Sequence, residues 1–172
     1  MNRVLVAGVG NIFFSDDGFG SEVVRAMSGH PVPAGVDVVD VGIRGVHLAY
    51  QLLDGYDVLI VVDAAPRGLM PGTVSLLAVD QQAVPDAAGP VAEGQAPLLD
   101  THGLAPAAIL SMLRSFGGTV GRVLVVACEP ASVDAGIGLS PAVATAVPAA
   151  IDMIDSLLCA QHAQISAEEV GK

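Results

Sequence analysis

The sequence predicts an α/β fold with three layers: a twisted, mostly parallel five-stranded sheet with helices on both faces. Strand-like and helix-like segments alternate along the chain, as they do when crossover helices connect parallel strands. The predicted strands are continuous runs of aliphatic residues, which is typical of strands buried on both faces. Apolar residues make up 52% of the 172 residues and charged residues 15%. The chain can therefore bury a full core, and residues 1–172 are expected to form one domain.

The predicted elements are separated by short turns that contain Gly, Pro or Asp. The predicted strands are 4–7, 36–41, 57–62, 73–79 and 122–128. The predicted helices are 20–27, 46–53, 104–116 and 140–162. One strand is expected to be antiparallel, the strand at 73–79 is expected at an edge, and Pro148 should bend the last helix. Residues 84–95 predict a loop, and residues 166–172 a frayed acidic tail.

The charge balance excludes some classes of partner. Seven basic residues against eighteen acidic ones give a net charge of −11. Nucleic acids and anionic membranes need clustered positive charge, so neither is expected as a partner. Residues 137–151, the least charged stretch, contain two prolines and are predicted to be too short to span a membrane.

The cysteines and the N-terminus both indicate a cytoplasmic protein. Cys128 and Cys159 do not form a CxxC pair, which disfavours a zinc–thiolate site and a disulfide scaffold. The apolar run at the N-terminus is interrupted by Gly8, Gly10 and Asn11 and is not followed by a small-residue cleavage site. It therefore does not match a secretory signal.

Three polar clusters lie where the chain should leave or re-enter the carboxyl edge of the sheet, where α/β folds bind their ligands. They contain Asp16 and Asp17, then Asp63, then His102. Two carboxylates and an imidazole form a nitrogen and oxygen ligand set that suits a divalent transition metal such as nickel or zinc.

Each of these residues also has a purely structural interpretation. Asp16 or Asp17 would cap the helix at 20–27, which is the more common role for a carboxylate in that position. Asp63 would close a loop, and His102 would be an ordinary residue at the start of a helix. The sequence pattern by itself does not decide between these structural roles and metal binding.

Phosphate binding and nucleophilic catalysis have weaker support. Gly8 and Gly10 follow a strand, but Phe13 occupies the position of the third glycine of a dinucleotide loop. The sequence has no Walker-type Gly-Lys-Ser and no G-x-S-x-G elbow. Cys128 lies at the end of a strand, where burial is the expected fate of a thiol.

The N-terminal run from Val6 to Gly20, with the sequence VAGVGNIFFSDDGFG, resembles the signature of the nickel–iron hydrogenase maturation endopeptidases. The resemblance covers most of the chain, from about residue 4 to residue 158. It includes the segments GYD at 55–57, VDA at 62–64, PGT at 71–73, THGL at 101–104, CEP at 128–130 and GLS at 138–140.

The resemblance implies a function and a set of site residues. Members of this family remove a C-terminal extension from the large-subunit precursor of a nickel–iron hydrogenase after nickel has been inserted. The metal-contact positions of the family correspond to Asp17, Asp63 and His102, which implies that these residues contact nickel carried by the substrate and catalyse the cleavage. Asn11, Asp16, Gly42 and Arg44 are candidates for substrate binding or support, and the loop 40–45 has Ile43 where the family often has Thr.

Two other functions remain possible at this level. One is a small α/β hydrolase that acts on peptides with a tightly held metal of its own. The other is a non-catalytic module, such as a nickel-binding metallochaperone or a nucleotide sensor.

Overall fold

The computed structural model describes residues 3–84 and 106–170, with side chains as far as residue 161, and its strands form a five-stranded sheet. The strands are β1 (Val4–Val9), β2 (Val36–Gly42), β3 (Val58–Ala64), β4 (Val74–Ala78) and β5 (Arg122–Cys128). The helices are α1 (Phe19–Ala26), α2 (Gly45–Leu52), α3 (Pro106–Ser115) and α4 (Pro141–Val170), and a 3-10 turn (Ser15–Gly18) precedes α1.

The sheet has the strand order β2-β1-β3-β5-β4. The first four of these strands are parallel, with Val6 of β1 opposite both Val38 of β2 and Ile60 of β3. The edge strand β4 runs antiparallel to β5, with Leu76 opposite Val126. The predicted fold class, the antiparallel strand and its edge position are thus confirmed.

Two hydrophobic cores lie on opposite faces of the sheet. Alternate residues of β1 face opposite ways, so that Val6 joins one core and Leu5 the other. The first core contains side chains of α1 and α4, and the second contains side chains of α2 and α3. The three-layer arrangement explains why the central strands are uninterrupted aliphatic runs.

Glycine contacts hold α1 very close to the sheet. A Cβ atom on Gly20 would lie 2.1 Å from the carbonyl oxygen of Val62 and 2.3 Å from that of Val9. A Cβ atom on Gly8 would lie 2.3 Å from the carbonyl oxygen of Gly20. Only glycine permits this approach, which places the turn at 15–18 directly over the ends of β1 and β3.

The ends of two elements differ clearly from the sequence prediction. Strand β3 continues to Ala64, so Asp63 lies inside the strand, opposite Ala127 of β5, and not after its end. Helix α4 passes through Pro148 and continues to Val170, into the tail that was predicted to begin at residue 166. The loop predicted at 84–95 and the predicted start of α3 at 104 lie outside the described residues, except for residue 84.

Helix α4 is also longer than the apolar stretch seen in the sequence. The segment Pro141–Gln161 is long and apolar enough, by length and composition, to cross a membrane. The expectation that this stretch is too short for a span is therefore wrong, because the helix does not stop at residue 151. One side of the helix, with Val143, Ala150, Ile154 and Leu158, is buried in the first core.

Candidate active site

The structure brings Asp17 and Asp63 together at the carboxyl edge of the sheet. Asp17 lies on the turn after β1 and is 2% exposed, and Asp63 lies near the end of β3 and is 7% exposed. The two side chains interact electrostatically, since the charge of Asp17 contributes to the shift of the Asp63 pKa. The third predicted residue of the site, His102, lies outside the described residues.

Asp63 is placed in an unusual electrostatic environment. Burial, and then the negative charge of Asp17, raise its pKa well above the usual range for aspartate, against a smaller lowering by the backbone N–H of Ala64. Within the described part of the chain, no group donates a hydrogen bond to its buried Oδ1. A buried polar atom without a partner is costly, and such atoms are common where a ligand supplies the missing contact.

The backbone of the preceding loop orients Asp17. The N–H of Asn11 donates a hydrogen bond of 2.7 Å to Oδ2 of Asp17, and the side-chain Oδ1 of Asn11 accepts one of 3.0 Å from the N–H of Phe13. Gly10 has a φ of 127°, and a Cβ atom there would lie 1.9 Å from the carbonyl oxygen of Asp17. Gly10 and Asn11 thus set the position of the Asp17 carboxylate.

The adjacent carboxylate, Asp16, has a different role. It is fully buried and accepts hydrogen bonds from the N–H groups of Ala131 (2.8 Å), Ser132 (3.1 Å) and Ser140 (2.6 Å) and from the hydroxyl of Ser140 (2.9 Å). Burial alone would raise its pKa, but these hydrogen bonds hold the pKa below the ordinary value of 3.8. Asp16 therefore remains ionised and ties the turn at 15–18 to the loop between β5 and α4.

The interpretation of Asp16 or Asp17 as a helix cap is wrong. The residue before α1 is Gly18, and no side chain makes a capping hydrogen bond at this end of the helix. Both carboxylates lie within the 3-10 turn that precedes the helix, and their hydrogen bonds are made elsewhere: Asp16 accepts from the loop between β5 and α4, and Asp17 accepts from Asn11.

Glu129 is a buried carboxylate to which the sequence analysis assigned no role. It follows β5 directly, is 7% exposed, and accepts hydrogen bonds from the N–H groups of Arg67 (2.7 Å) and Gly68 (3.2 Å). Glu129 thereby fixes the loop between β3 and β4. The same signal that singled out Asp63, a carboxylate at the end of a buried strand, would have found it.

A cavity of about 250 Å³ opens beside Asp17. It lies between the loop that follows β3 and the loop that follows β5. Its lining residues are Asp17, Ala64, Pro66, Pro130, Ala131, Ser132 and Val133.

The other predicted support residues lie at the end of β2. Gly42 has a φ of 55°, and its carbonyl oxygen accepts a hydrogen bond of 3.1 Å from the N–H of Gly10. The Arg44 guanidinium donates to the carbonyl oxygens of Asp40 (2.9 Å) and Val41 (3.2 Å), so it braces its own loop. Ile43 is 68% exposed.

The chemistry of this edge is that of carboxylates. Burial, and then the charges of Asp16 and Glu129, raise the pKa of the Cys128 thiol to about 11, so Cys128 is a neutral, buried thiol and not a nucleophile. Among the described residues, no three His, Cys, Asp or Glu side chains are grouped so that they could hold a metal. Asp17 and Asp63 place two carboxylates at this edge, and the third predicted ligand, His102, lies outside the described residues.

The family model for hydrogenase maturation proteases matches residues 21–157. The chain belongs to this family. It is 31% identical to the hydrogenase expression/formation protein HupD of Rhizobium leguminosarum bv. viciae over 171 residues, which cover 98% of this chain and 80% of that protein.

Solved structures agree with the assignment. The hydrogenase maturating endopeptidase HybD from E. coli is similar to this chain with a TM-score of 0.74 and 28% identity, over 92% of this chain and 93% of that one. A hydrogenase 2 maturation peptidase from a Thaumarchaeota archaeon has a TM-score of 0.67 and 30% identity, over 91% and 98% of the two chains. The protein is thus an enzyme, a hydrogenase maturation endopeptidase, and the predicted family and activity are confirmed. A non-catalytic module finds no support in these relatives.

Proposed function

We propose that this protease removes the C-terminal extension of a nickel–iron hydrogenase large-subunit precursor in the cytoplasm, after nickel has been inserted into that precursor. The membership of the family supports the peptidase activity and its place in hydrogenase maturation. The observation that carries the proposal for the site is the unpartnered, buried Oδ1 of Asp63 beside Asp17. A buried carboxylate oxygen without a hydrogen-bond donor, beside a second carboxylate, is suited to receive a cation from outside the chain.

We assign Asp17, Asp63 and His102 as the protein ligands that contact the nickel of the precursor. Carboxylate oxygens and an imidazole nitrogen form a ligand set that nickel accepts. Metal ligands must be deprotonated, so a contact with nickel would oppose the burial and the Asp17 charge that raise the pKa of Asp63. Nickel that arrives with the substrate supplies Lewis acidity at the scissile carbonyl, and it also makes cleavage depend on completed metal insertion.

As an alternative to a contact with nickel, Asp17 is our candidate for the group that accepts a proton from the attacking water. It lines the cavity, and its neighbour Asp16 already accepts four hydrogen bonds within the protein. A positioned carboxylate of this kind acts as a general base. Asn11 holds Asp17 through its backbone N–H, and the contact between Gly42 and Gly10 holds the loop of Asn11.

A processing assay tests this function directly. The purified protease is mixed with the full-length precursor, with and without nickel, and the mass of the precursor is measured. We expect loss of a C-terminal peptide only from the nickel-loaded precursor. Absence of cleavage of a verified loaded precursor would contradict the function, and equal cleavage without nickel would contradict the role of the metal.

Variants of the ligand set test the site. We expect Asp17→Asn, Asp63→Asn and His102→Ala each to abolish processing. His47→Ala is a matched control because His47 is exposed on α2, and it should process the precursor normally. Normal cleavage by any of the three variants would remove that residue from the mechanism.

Metal analysis of the protease separates the proposal from a hydrolase with its own metal. We expect the purified protein to carry much less than about one metal ion per chain, because the nickel belongs to the precursor. A stoichiometric metal that survives dialysis would favour the alternative.

A further inference from the structure

We propose that exposed apolar side chains on the turn before Asp17 and on the loop after β5 form a docking surface for the folded precursor. This surface, the apolar rim, consists of Phe13, Phe14 and Ile137. Its occupant is a patch of the precursor that is apolar at its centre and has basic side chains at its border. The rim binds the body of the precursor while the carboxylates act on the segment that is cleaved, so this inference rests on the proposed function.

The three side chains of the apolar rim are exposed although they are large and apolar. Ile137 is 82% exposed, Phe13 60% and Phe14 38%. Burial of such side chains is favourable, and apolar side chains that are exposed together mark interaction sites on folded proteins. Aromatic residues are also enriched at the centres of protein interfaces. The rim therefore gains free energy when a second surface covers it.

Backbone hydrogen bonds bring the two parts of the rim together. Phe14 and Gly136 form an isolated β-bridge. The N–H of Gly136 donates to the carbonyl oxygen of Phe13 at 2.9 Å, and the N–H of Ser15 donates to that of Gly136 at 2.8 Å. Ile137 follows Gly136 directly. The three side chains thus belong to two segments that lie side by side.

Further hydrogen bonds hold the backbone of the rim in place. The hydroxyl of Ser15 donates to the carbonyl oxygen of Asp134 at 2.9 Å, and the N–H of Asp16 donates to that of Ser132 at 3.1 Å. The Asp16 carboxylate accepts two hydrogen bonds from the same loop. The exposed side chains are therefore carried by an ordered backbone, so docking loses less conformational entropy than it would on a loose loop.

The rim is continuous with the candidate active site. The N–H of Phe13 donates to the side chain of Asn11, whose own N–H donates to Asp17. On the other side, the loop that carries Ile137 begins with residues 130–133, which line the cavity beside Asp17. A precursor whose scissile segment reaches Asp17 therefore brings the surface around that segment over the rim.

The charge of the protein indicates the border of the precursor patch. The chain has a net charge of −11. The exposed Asp134 lies on the loop that carries Ile137, and Asp17 and Asp63 lie at the same edge of the sheet. Complementary charge speeds encounter and fixes the orientation of two partners, whereas a second copy of this acidic chain would be repelled. A basic border on the precursor patch is therefore favoured over a second copy.

Variants of the rim test the proposal, with the nickel-loaded, full-length precursor as the substrate. Phe13→Ser and Ile137→Ser remove apolar surface and keep the backbone hydrogen bonds, and Ile137→Leu keeps the apolar surface as well. Leu53→Ser is the matched control because Leu53 is 42% exposed and lies at the opposite edge of the sheet. There the carbonyl oxygen of the next residue, Asp54, accepts a hydrogen bond of 2.7 Å from Arg3. Thermal unfolding of each variant shows whether it is folded.

Steady-state kinetics separate docking from catalysis. We expect Phe13→Ser and Ile137→Ser each to raise KM about fivefold or more. Their kcat should stay within about twofold of the wild type, because docking contacts are equally strong in the ground state and the transition state. Ile137→Leu and Leu53→Ser should keep the wild-type KM. Added NaCl should raise the wild-type KM, since salt screens the attraction between the acidic protease and the basic border.

The possible failures can be told apart. Wild-type KM values in folded Phe13→Ser and Ile137→Ser would overturn the docking surface and leave the proposed function standing, as would an equal rise in KM for Leu53→Ser. A wild-type dimer that Ile137→Ser dissociates without a change in KM would assign the rim to a second copy instead. A wild-type KM that falls with added salt would overturn the basic border. A wild-type protease that cleaves no loaded precursor would overturn the proposed function, and the docking surface with it.

Discussion

At the scale of single residues, the site depends on two adjacent carboxylates with opposite surroundings. Asp16 is buried among four hydrogen-bond donors from the loop that follows β5 and from the start of α4. Asp17 lines a cavity, and its negative charge helps to raise the pKa of Asp63. The first carboxylate holds two loops together, and the second forms part of the wall of the cavity.

Substitutions at the two positions should therefore have different effects. Asp16→Ala leaves several buried N–H groups without an acceptor, so we expect the free energy of unfolding to fall by about 3 kcal/mol. Asp17→Asn keeps the shape of the side chain, so we expect a change in stability below about 1 kcal/mol together with loss of processing. Urea unfolding and the precursor assay measure the two effects. Similar losses of stability in both variants would show that both residues are structural.

The pKa of Asp16 also predicts how stability depends on pH. Because this pKa is lower in the folded protein than its ordinary value of 3.8, the ionised carboxylate stabilises the fold at pH values above about 4. This contribution is lost as the pH falls through the folded pKa, since both the folded and the unfolded states then bind the proton.

The measurement compares the free energies of unfolding of the wild type and of Asp16→Asn at several pH values between about 6 and 3. The difference between the two proteins should be largest near neutral pH and should shrink below about pH 4. A difference that stays constant, or that grows as the pH falls, would contradict the lowered pKa.

At the scale of elements, the close contact of α1 with the sheet determines where Asp17 lies. Gly20 is in the first turn of α1 and is near the carbonyl oxygens of Val9 and Val62. These oxygens belong to strand backbones that cannot move aside without breaking the pairing of the sheet. A side chain at this position would therefore displace the helix and the turn that precedes it.

We expect Gly20→Ala to lower the free energy of unfolding by about 3 kcal/mol, as overpacking does, and to reduce processing strongly. Gly55→Ala is the control. A Cβ atom at Gly55 would have no surrounding atom within 4 Å, so the loss of stability arises only from the backbone strain of a φ of 82°. That variant should lose about 1 kcal/mol and should process the precursor normally. Equal stability of the two variants would show that α1 adapts to the added methyl group.

At the scale of the whole molecule, α4 has two possible environments, a membrane and the first core. Its length and apolar composition satisfy the test for a membrane span. However, Ile154 is fully buried against the sheet, whereas Ser156 on the same helix is exposed. This side of α4 belongs to the first core, and this assignment predicts that α4 does not cross a membrane.

Two charged substitutions distinguish these environments. Ile154→Asp places a carboxylate in the first core and should lower the free energy of unfolding by about 4 kcal/mol or prevent folding. Ser156→Asp adds the same charge at the exposed position and should change stability by less than about 0.5 kcal/mol. The wild type and Ser156→Asp should remain in the supernatant after membranes are sedimented. Recovery of the wild type with the membranes would contradict the assignment.

The extent to which the sequence predicts this protein differs between the fold and the site. The five strands were predicted to within about two residues, because each central strand is an aliphatic run buried on both faces. The candidate residues could be named because parallel strands bring their carboxyl ends to one edge, and the family resemblance singled out Asp17 from its neighbour Asp16. The boundaries that were missed, such as the far end of α4, are positions where no residue stops the element.

The sequence by itself thus determined the layers of the fold, the family and the edge of the sheet where the site lies, since these depend on local patterns and on a continuous motif. Only the tertiary structure decided the separate roles of Asp16 and Asp17, the contribution of Glu129 and the cavity. Asp16 contacts Ser140, which is 124 residues away, and Glu129 contacts Arg67, which is 62 residues away. The role of a carboxylate follows from the donors around it, and folding brings those donors from distant parts of the chain.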